Sequence, residues 1–261
     1  MVLKRFISAL VWAFLLLGLS YLGGGYIAVL VSILIILALW EFLNIIKHLG
    51  IKVWYPLIIT FTFIWLLNLF VGQKEWMMPI LICWIIIIFG YLVMQYPKVN
   101  LEEASYNLLG MIYPVVFFSY LFLLRQLPQG VIWTFFTFFL VWSTDTFAYL
   151  IGKGFGSNPL APKVSPNKTV EGSVGGLLGC LIVGLIFRFW MSEVSLLHTI
   201  ILSLIAGIVG QIGDLFESSL KRSAGIKDSG TLIPGHGGIL DRSDSLIFVL
   251  PIIYYYIVIF V

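Results

Sequence analysis

Chemistry in this chain is concentrated between Asp214 and Ser245, in the stretch DLFESSLKRSAGIKDSGTLIPGHGGILDRSDS. Four of the five aspartates of the protein lie there, Asp214, Asp228, Asp241 and Asp244, interleaved with Lys221, Arg222, Lys227, Arg242 and His236. Carboxylates combined with substrate phosphates are what Mg²⁺ takes as ligands. Lysine and arginine hold phosphate oxygens, arginine bidentately. The spacing is ordered. Gln211, Asp214, Ser218 and Lys221 fall 3, 4 and 3 residues apart and form one helical stripe. Asp241, Asp244 and Ser245 share a face at i, i+3 and i+4. Gly230, Gly235, Gly237 and Gly238 let the intervening backbone bend tightly and approach a ligand. A solvated loop with local ion pairs is the plain alternative. A long loop between packed elements is usually functional, and that favours a site.

A second group precedes it. Asp145 sits in VWSTDTFAYLIG between apolar residues, where a carboxylate is costly and faces a cavity or a partner. Tyr149, four residues on, shares its face. Ser143, Thr144 and Thr146 are polar neighbours that could instead bond Asp145 and simply fix helix packing. The following segment, GKGFGSNPLAPKVSPNKTVEG, carries Lys153, Lys163 and Lys168 among glycines and prolines. Lysines beside freed backbone N–H groups make a phosphate cradle, though the P-loop order is absent and an ordinary basic loop would read the same. Gly172, Gly176 and Gly179 lie on one helical face and invite close approach of another helix.

These groups need elements to position them, and the rest of the chain is mostly apolar. Hydrophobic residues make up 61% of the 261 residues and charged ones 10%, against about 25% charged in soluble domains. The protein is expected to be an all-α integral membrane protein of about nine transmembrane helices. By apolar length they run near 4–22, 26–46, 54–72, 76–95, 105–124, 130–151, 171–190, 196–217 and 245–261. With the N-terminus cytoplasmic and the C-terminus outside, 12 of the 15 Lys and Arg fall inside and 3 outside, as the positive-inside bias requires. Both polar segments, 152–170 and 218–244, then face the cytoplasm. The chain divides into residues 1–125, a lipid-facing scaffold, and residues 126–261, the catalytic helices with their two polar loops. Glu41, Asn44, Glu102 and Glu103 sit near span ends, where solvation or a local pair accounts for them. His48 and His198 are read the same way. Cys83 and Cys180 lie in apolar runs and suit buried free thiols.

Ser218-x-Leu220-Lys221-Arg222-x4-Lys227-Asp228-x-Gly230-x2-Ile233-Pro234-x-His236-Gly237-Gly238-Ile239-x-Asp241-Arg242-Ser243-Asp244 closely resembles the signature of the phosphatidate cytidylyltransferases, the CDP-diacylglycerol synthases. Asp145 with Tyr149, and Ser165-Pro166-Asn167-Lys168-Thr169-x-Glu171-Gly172, are also similar to segments of that family. Ser243 departs from the usual apolar residue or threonine. The resemblance implies a nucleotidyltransferase that joins CTP to phosphatidic acid in the bilayer, giving CDP-diacylglycerol and pyrophosphate. It implies Mg²⁺, with a second cation left open, an inner-membrane location, a cytoplasmic active site and a homodimer. It makes Asp214, Asp241 and Asp244 the metal ligands to test, with Asp145 next. Lys221, Arg222, Lys227 and Arg242 become phosphate holders, and His236 either bonds a phosphate oxygen or shapes the loop. Asp228 joins the catalytic set. Asp145, Tyr149, Lys153, Ser165, Asn167, Lys168, Thr169, Glu171, Gly237 and Gly238 are implied substrate contacts. A CTP-dependent kinase of a lipid alcohol and, behind it, a membrane transporter are the alternatives. No nucleic-acid partner is expected.

Overall fold

A computed structural model describes residues 2–191, 193–232 and 237–261. His236 and Pro234 lie outside the described residues. The chain is helical almost throughout: α1 (Val2–Leu22), α2 (Gly24–His48), α3 (Tyr55–Val71), α4 (Met77–Gln95), α5 (Leu101–Met111), α6 (Phe118–Arg125), α7 (Gly130–Phe155), α8 (Val170–Phe187), α9 (Leu196–Ser223) and α10 (Leu240–Phe260). Among the described residues, 7 helical segments are long and apolar enough to cross a membrane. Leu10–Leu22 of α1 and the whole of α3 are apolar but shorter.

Four details depart from the expected spans. A single helix was expected over 105–124, but α5 and α6 are joined by a π-helical turn, Ile112–Phe117. Pro114 stands within it, and a proline supplies no N–H to the regular ladder. The segment 152–170 is not all loop. Helix α7 runs on to Phe155, and β1 (Pro159–Ala161) pairs antiparallel with β2 (Ser165–Thr169). Helix α9 continues six residues beyond the expected span end at 217, so Ser218 and Lys221 do ride on helix as their stripe spacing with Gln211 and Asp214 implied, and Arg222 follows them. Helix α10 starts at Leu240, so Asp241 and Asp244 stand in its first turns.

Helix starts follow local chemistry. Asn100, Thr169 and Ser195 cap α5, α8 and α9 by accepting from the amides of Glu103, Gly172 and His198, which satisfies otherwise orphaned N–H groups. Glu102 and Glu103 occupy the first turn of α5, where the helix dipole favours negative charge.

Helices α7 and α8 are the most closely packed pair. Gly172, Gly175, Gly176 and Gly179 of α8 are buried. A Cβ on Gly176 would lie 2.9 Å from the Thr144 carbonyl oxygen, and one on Gly179 would collide with Phe147. The glycine face thus brings α8 against the Asp145 helix. Helices α9 and α10 also pack on each other, and α2 reaches both α6 and α10. The site lies where α7, α8, α9, α10 and α2 meet.

Candidate active site

A cavity of about 470 Å³ opens between α7, the β-hairpin, α8 and α9. Helix α7 contributes Asp145, Ala148, Tyr149, Gly152 and Lys153. The hairpin adds Leu160, Asn167, Lys168 and Thr169; Gly172 and Ser173 come from α8, and Gln211 and Asp214 from α9. Asp145 is exposed to this space, while Ser143 and Thr144 turn their hydroxyls back to the Leu140 carbonyl at 2.8 Å. Those two hydroxyls therefore do not satisfy Asp145. The Lys168 ammonium pairs with Asp214. The Lys153 ammonium stands 5.7 Å from the Tyr149 ring centre. Gln211 accepts from the Ser173 hydroxyl and donates to the Ser173 and Gly207 carbonyls at 3.3 and 3.1 Å. That exchange ties α8 to α9 along the cavity wall.

Glu171 shapes the loop before the hairpin. Its carboxylate accepts from the Ser157 amide and hydroxyl at 3.1 and 2.8 Å, and from the Asn158 side chain at 2.7 Å. Ser165 opens β2 opposite Ala161 and does not line the cavity. Arg222, at the exposed end of α9, donates to the Val164 carbonyl at 3.4 Å and the Ile226 carbonyl at 3.3 Å, so it links the two polar segments. Lys227 and Asp228 are exposed on the loop after α9.

Beside the cavity is a second, drier cluster. Asp241 accepts from Lys221 at 2.5 Å through Oδ1. Through Oδ2 it accepts from the Ser229 amide (2.8 Å) and the Gly238 amide (2.8 Å), and the Ser229 hydroxyl, whose one proton is shared with Glu41, lies 2.9 Å away. Lys221 also pairs with Glu217, one helical turn back, whose side chain is 0% exposed. Gly237 adopts φ 84°, a left-handed conformation that glycine adopts at little cost; a Cβ there would lie 2.5 Å from Asp241 Oδ2. Asp244 accepts from the Ser245 amide at 2.7 Å and lies within electrostatic range of Asp214, Glu217 and Asp145. Arg242 and Lys168 lie within the same range of Asp145.

An aromatic layer adjoins these carboxylates. Tyr113, from the π turn, packs edge-on to Phe216 at 5.2 Å and against Phe248 at 5.6 Å; Phe117 also meets Phe248. Phe248 stands one turn further along α10 than Asp244, and Tyr113 is within electrostatic range of Asp244, Glu217, Asp214 and Asp241.

Glu41, Glu217 and Ser229 were not singled out from the sequence as site residues. Glu41 is wholly buried, not solvated at a span end. Its carboxylate accepts from Ser229, Ile239 and Leu240. The available signal was an acid within an apolar run, which by itself suggests a function. Glu217 carried a similar signal, being i+3 from Asp214 and i−4 from Lys221.

Among the described residues, no three His, Cys, Asp or Glu side chains converge closely enough to form a metal site by themselves. Mg²⁺ needs no such cage, since it binds through one or two carboxylates plus substrate phosphates. Asp214 and Asp241 each already hold a cation, the ammonium of Lys168 or of Lys221, and Asp244 is their neighbour. A divalent cation at these carboxylates would have to arrive with phosphates and take the place of an ammonium.

The sequence profile of the cytidylyltransferase family matches residues 3–260, and the chain belongs to that family. It is 40% identical over 240 residues to the phosphatidate cytidylyltransferase of Staphylococcus saprophyticus, covering 89% of this chain and 90% of the relative. It is 34% identical over 256 residues to the enzyme of that name from Staphylococcus haemolyticus, at 95% and 96% coverage. The Bacillus subtilis enzyme of the same name is 38% identical over 178 residues, 67% of this chain and 66% of the relative.

Proposed function

We propose that this protein transfers the cytidylyl group of CTP to phosphatidic acid, forming CDP-diacylglycerol and pyrophosphate. One observation carries the reading: two aspartates and two lysines, Asp145, Asp214, Lys153 and Lys168, line a single cavity in a chain that matches the family from residue 3 to 260. The lipid phosphate is itself an anionic nucleophile. One of its oxygens attacks the α-phosphorus of CTP, the bond from that phosphorus to the bridging oxygen breaks, and pyrophosphate leaves. No covalent enzyme intermediate is required. The work of the protein is to hold two anions together and to offset charge, through positioning and preorganised electrostatics.

Residue roles follow from placement. Lys153 and Lys168 hold phosphate oxygens in the cavity, with Asn167 and Thr169 beside them. Lys168 exchanges its partner Asp214 for substrate phosphate. Arg222, Lys227 and Arg242 receive the triphosphate or the lipid phosphate. Lys221, shared by Glu217 and Asp241, keeps those acids compensated until substrate is present. Asp214, Asp241 and Asp244 would hold Mg²⁺, with Asp145 beside them. Bound there, the ion would neutralise charge developing on the transferring phosphorus and the departing pyrophosphate.

The proposed setting is the cell membrane, with nine spans, N-terminus inside, C-terminus outside and the site facing the cytoplasm, where CTP is present. The 12-to-3 distribution of basic residues supports this orientation. In a cysteine-free background in whole cells, Lys74→Cys should react with a membrane-impermeant maleimide and Lys98→Cys should not; the reverse pattern would invert the topology. A homodimer is proposed, and the mass of the purified protein in detergent tests it.

The decisive assay supplies purified protein with Mg²⁺, phosphatidic acid and CTP labelled at the α or the γ phosphorus. Label from the α position should enter the lipid and γ label should leave as pyrophosphate. Entry of γ label alone would mean a kinase, and entry of neither would defeat the reading.

A further inference from the structure

The N-terminal helices send one charged side chain into the opposite half of the molecule. Glu41, on α2, is 0% exposed. Its Oε1 accepts from the Ile239 amide at 2.9 Å, and its Oε2 from the Leu240 amide at 2.9 Å and the Ser229 hydroxyl at 2.8 Å. That hydroxyl lies 2.9 Å from Asp241 Oδ2. A Cβ on Gly230 would approach Glu41 Oε1 to 2.7 Å, and one on Gly238 would collide with Oε2. Both ends of the glycine-rich loop therefore close on one carboxylate contributed by a helix nearly 190 residues earlier in the chain.

The arrangement is also a cap. No side chain of its own caps the start of α10, and Glu41 receives the amides of Ile239 and Leu240 from across the interface. An anion at a helix N-terminus meets both unpaired N–H groups and the positive end of the helix dipole. A carboxylate buried this deeply is stable only while its donors stay in place. The requirement is mutual: Glu41 needs Ser229, Ile239 and Leu240 in place, and those three are held together by Glu41.

We propose that Glu41 is a positioning residue for nucleotidyl transfer, stapling Ser229 to Ile239 and Leu240 and so fixing the places of Asp241, Arg242 and Asp244 at the start of α10. This rests on the reading of those three residues as parts of the reacting site. Glu41 touches no substrate. It acts through Ser229 and through the first amides of α10.

Glu41→Gln tests the idea at nearly constant volume. The amide keeps one acceptor oxygen but turns an N–H₂ group toward Ile239 or toward Leu240 and Ser229, so donors face donors. In the CTP and phosphatidic acid assay, kcat per folded, monodisperse enzyme should fall between about tenfold and about a hundredfold, the loss expected of a small misplacement of reacting groups. KM for CTP should change less than kcat, because Lys153 and Lys168 in the cavity on α7 and the hairpin are untouched even where Lys227 and Arg242 shift. Amide exchange should quicken in 226–232 and 237–242 and stay unchanged in α8. A kcat per folded molecule within about twofold of wild type, with only the melting point lowered, would make Glu41 a fold-stabilising residue and overturn the proposal.

Ser229→Ala removes one contact and keeps the test available should Glu41→Gln fail to accumulate. It should lower kcat by about threefold or more and add little on top of Glu41→Gln; wild-type turnover, or full additivity, would also overturn it. A wild-type protein that makes no CDP-lipid would defeat the functional reading instead. The exchange measurement would still decide whether Glu41 holds the loop.

Discussion

Lys221 is placed between two acids, and its replacement by methionine has a calculable outcome. The residue is 9% exposed, and the Glu217 and Asp241 side chains are 0% and 6% exposed. Methionine keeps most of the volume and removes the ammonium. Asp241 would retain the Ser229 and Gly238 amides. Among the described residues Glu217 would keep no partner, because Lys221 is the one cation paired with it. Breaking a buried pair by removing one partner costs about 3–5 kcal/mol, and here the cost falls mainly on Glu217. The structure thus predicts three values. Lys221→Met should lose about 3–5 kcal/mol of stability. Glu217→Gln alone should change it by no more than about 1 kcal/mol, because Lys221 still serves Asp241 and can donate to the new amide. The double variant should recover most of the loss. Equilibrium unfolding in mixed micelles gives the free energies, and thermal midpoints in the same detergent give an independent ranking. A Lys221→Met protein as stable as wild type would refute the reasoning. So would a double variant no more stable than Lys221→Met.

Three further outcomes are expected. Asp241→Asn has one acceptor oxygen and cannot accept both from Lys221 and from the Ser229 and Gly238 amides, so CDP-lipid formation should fall by at least about a hundredfold; turnover assays alongside immunoblots of the membrane fraction check that insertion persists. Gly179→Leu should cost about 1–3 kcal/mol through overpacking against Phe147, whereas Gly90→Leu on α4, where a Cβ meets nothing within 4 Å, should be neutral by the same melting assay. Glu171→Ala frees the Ser157 and Asn158 donors, and should raise KM for CTP with kcat within about twofold; steady-state kinetics and faster exchange of the Ser157 and Asn158 amides report it.

How much of this was legible beforehand depended on the reach of each signal. Gly172, Gly176 and Gly179 pointed to close helix packing because small residues at helical spacing leave few other readings, and α8 does lie on α7. The ends of α9 and α10 were read too short, at 217 and 245, because apolar length marks where lipid contact stops and not where backbone hydrogen bonding stops. Lys221 can ride on a helix because Glu217 and Asp241 neutralise it, and neither partnership shows in hydropathy. The hairpin was missed for a similar reason: Ser165–Thr169 has no apolar alternation, and Pro159 and Pro166 count against a strand. Asp145 and Lys168 were read as one wall of the site and do line one cavity with Asp214. Glu41 was set aside because its partners stand 188 to 199 residues away, beyond anything local spacing can indicate.

The aromatic layer beside the carboxylates bears on permeability. A site that admits a nucleotide must let water and ions into a protein surrounded by hydrocarbon. Tyr113, Phe117, Phe216 and Phe248 form rings in mutual contact just past Asp244 along α10, and the π turn that carries Tyr113 is buried at this point. Apart from the lone Tyr113 hydroxyl, these rings offer no polar group along which a proton or cation could hop. An enzyme of this build can keep a hydrated, highly charged chamber open on one side while the membrane potential across it is preserved. A smaller side chain at position 216 or 248 would then threaten the cell by leakage before it affected the chemistry.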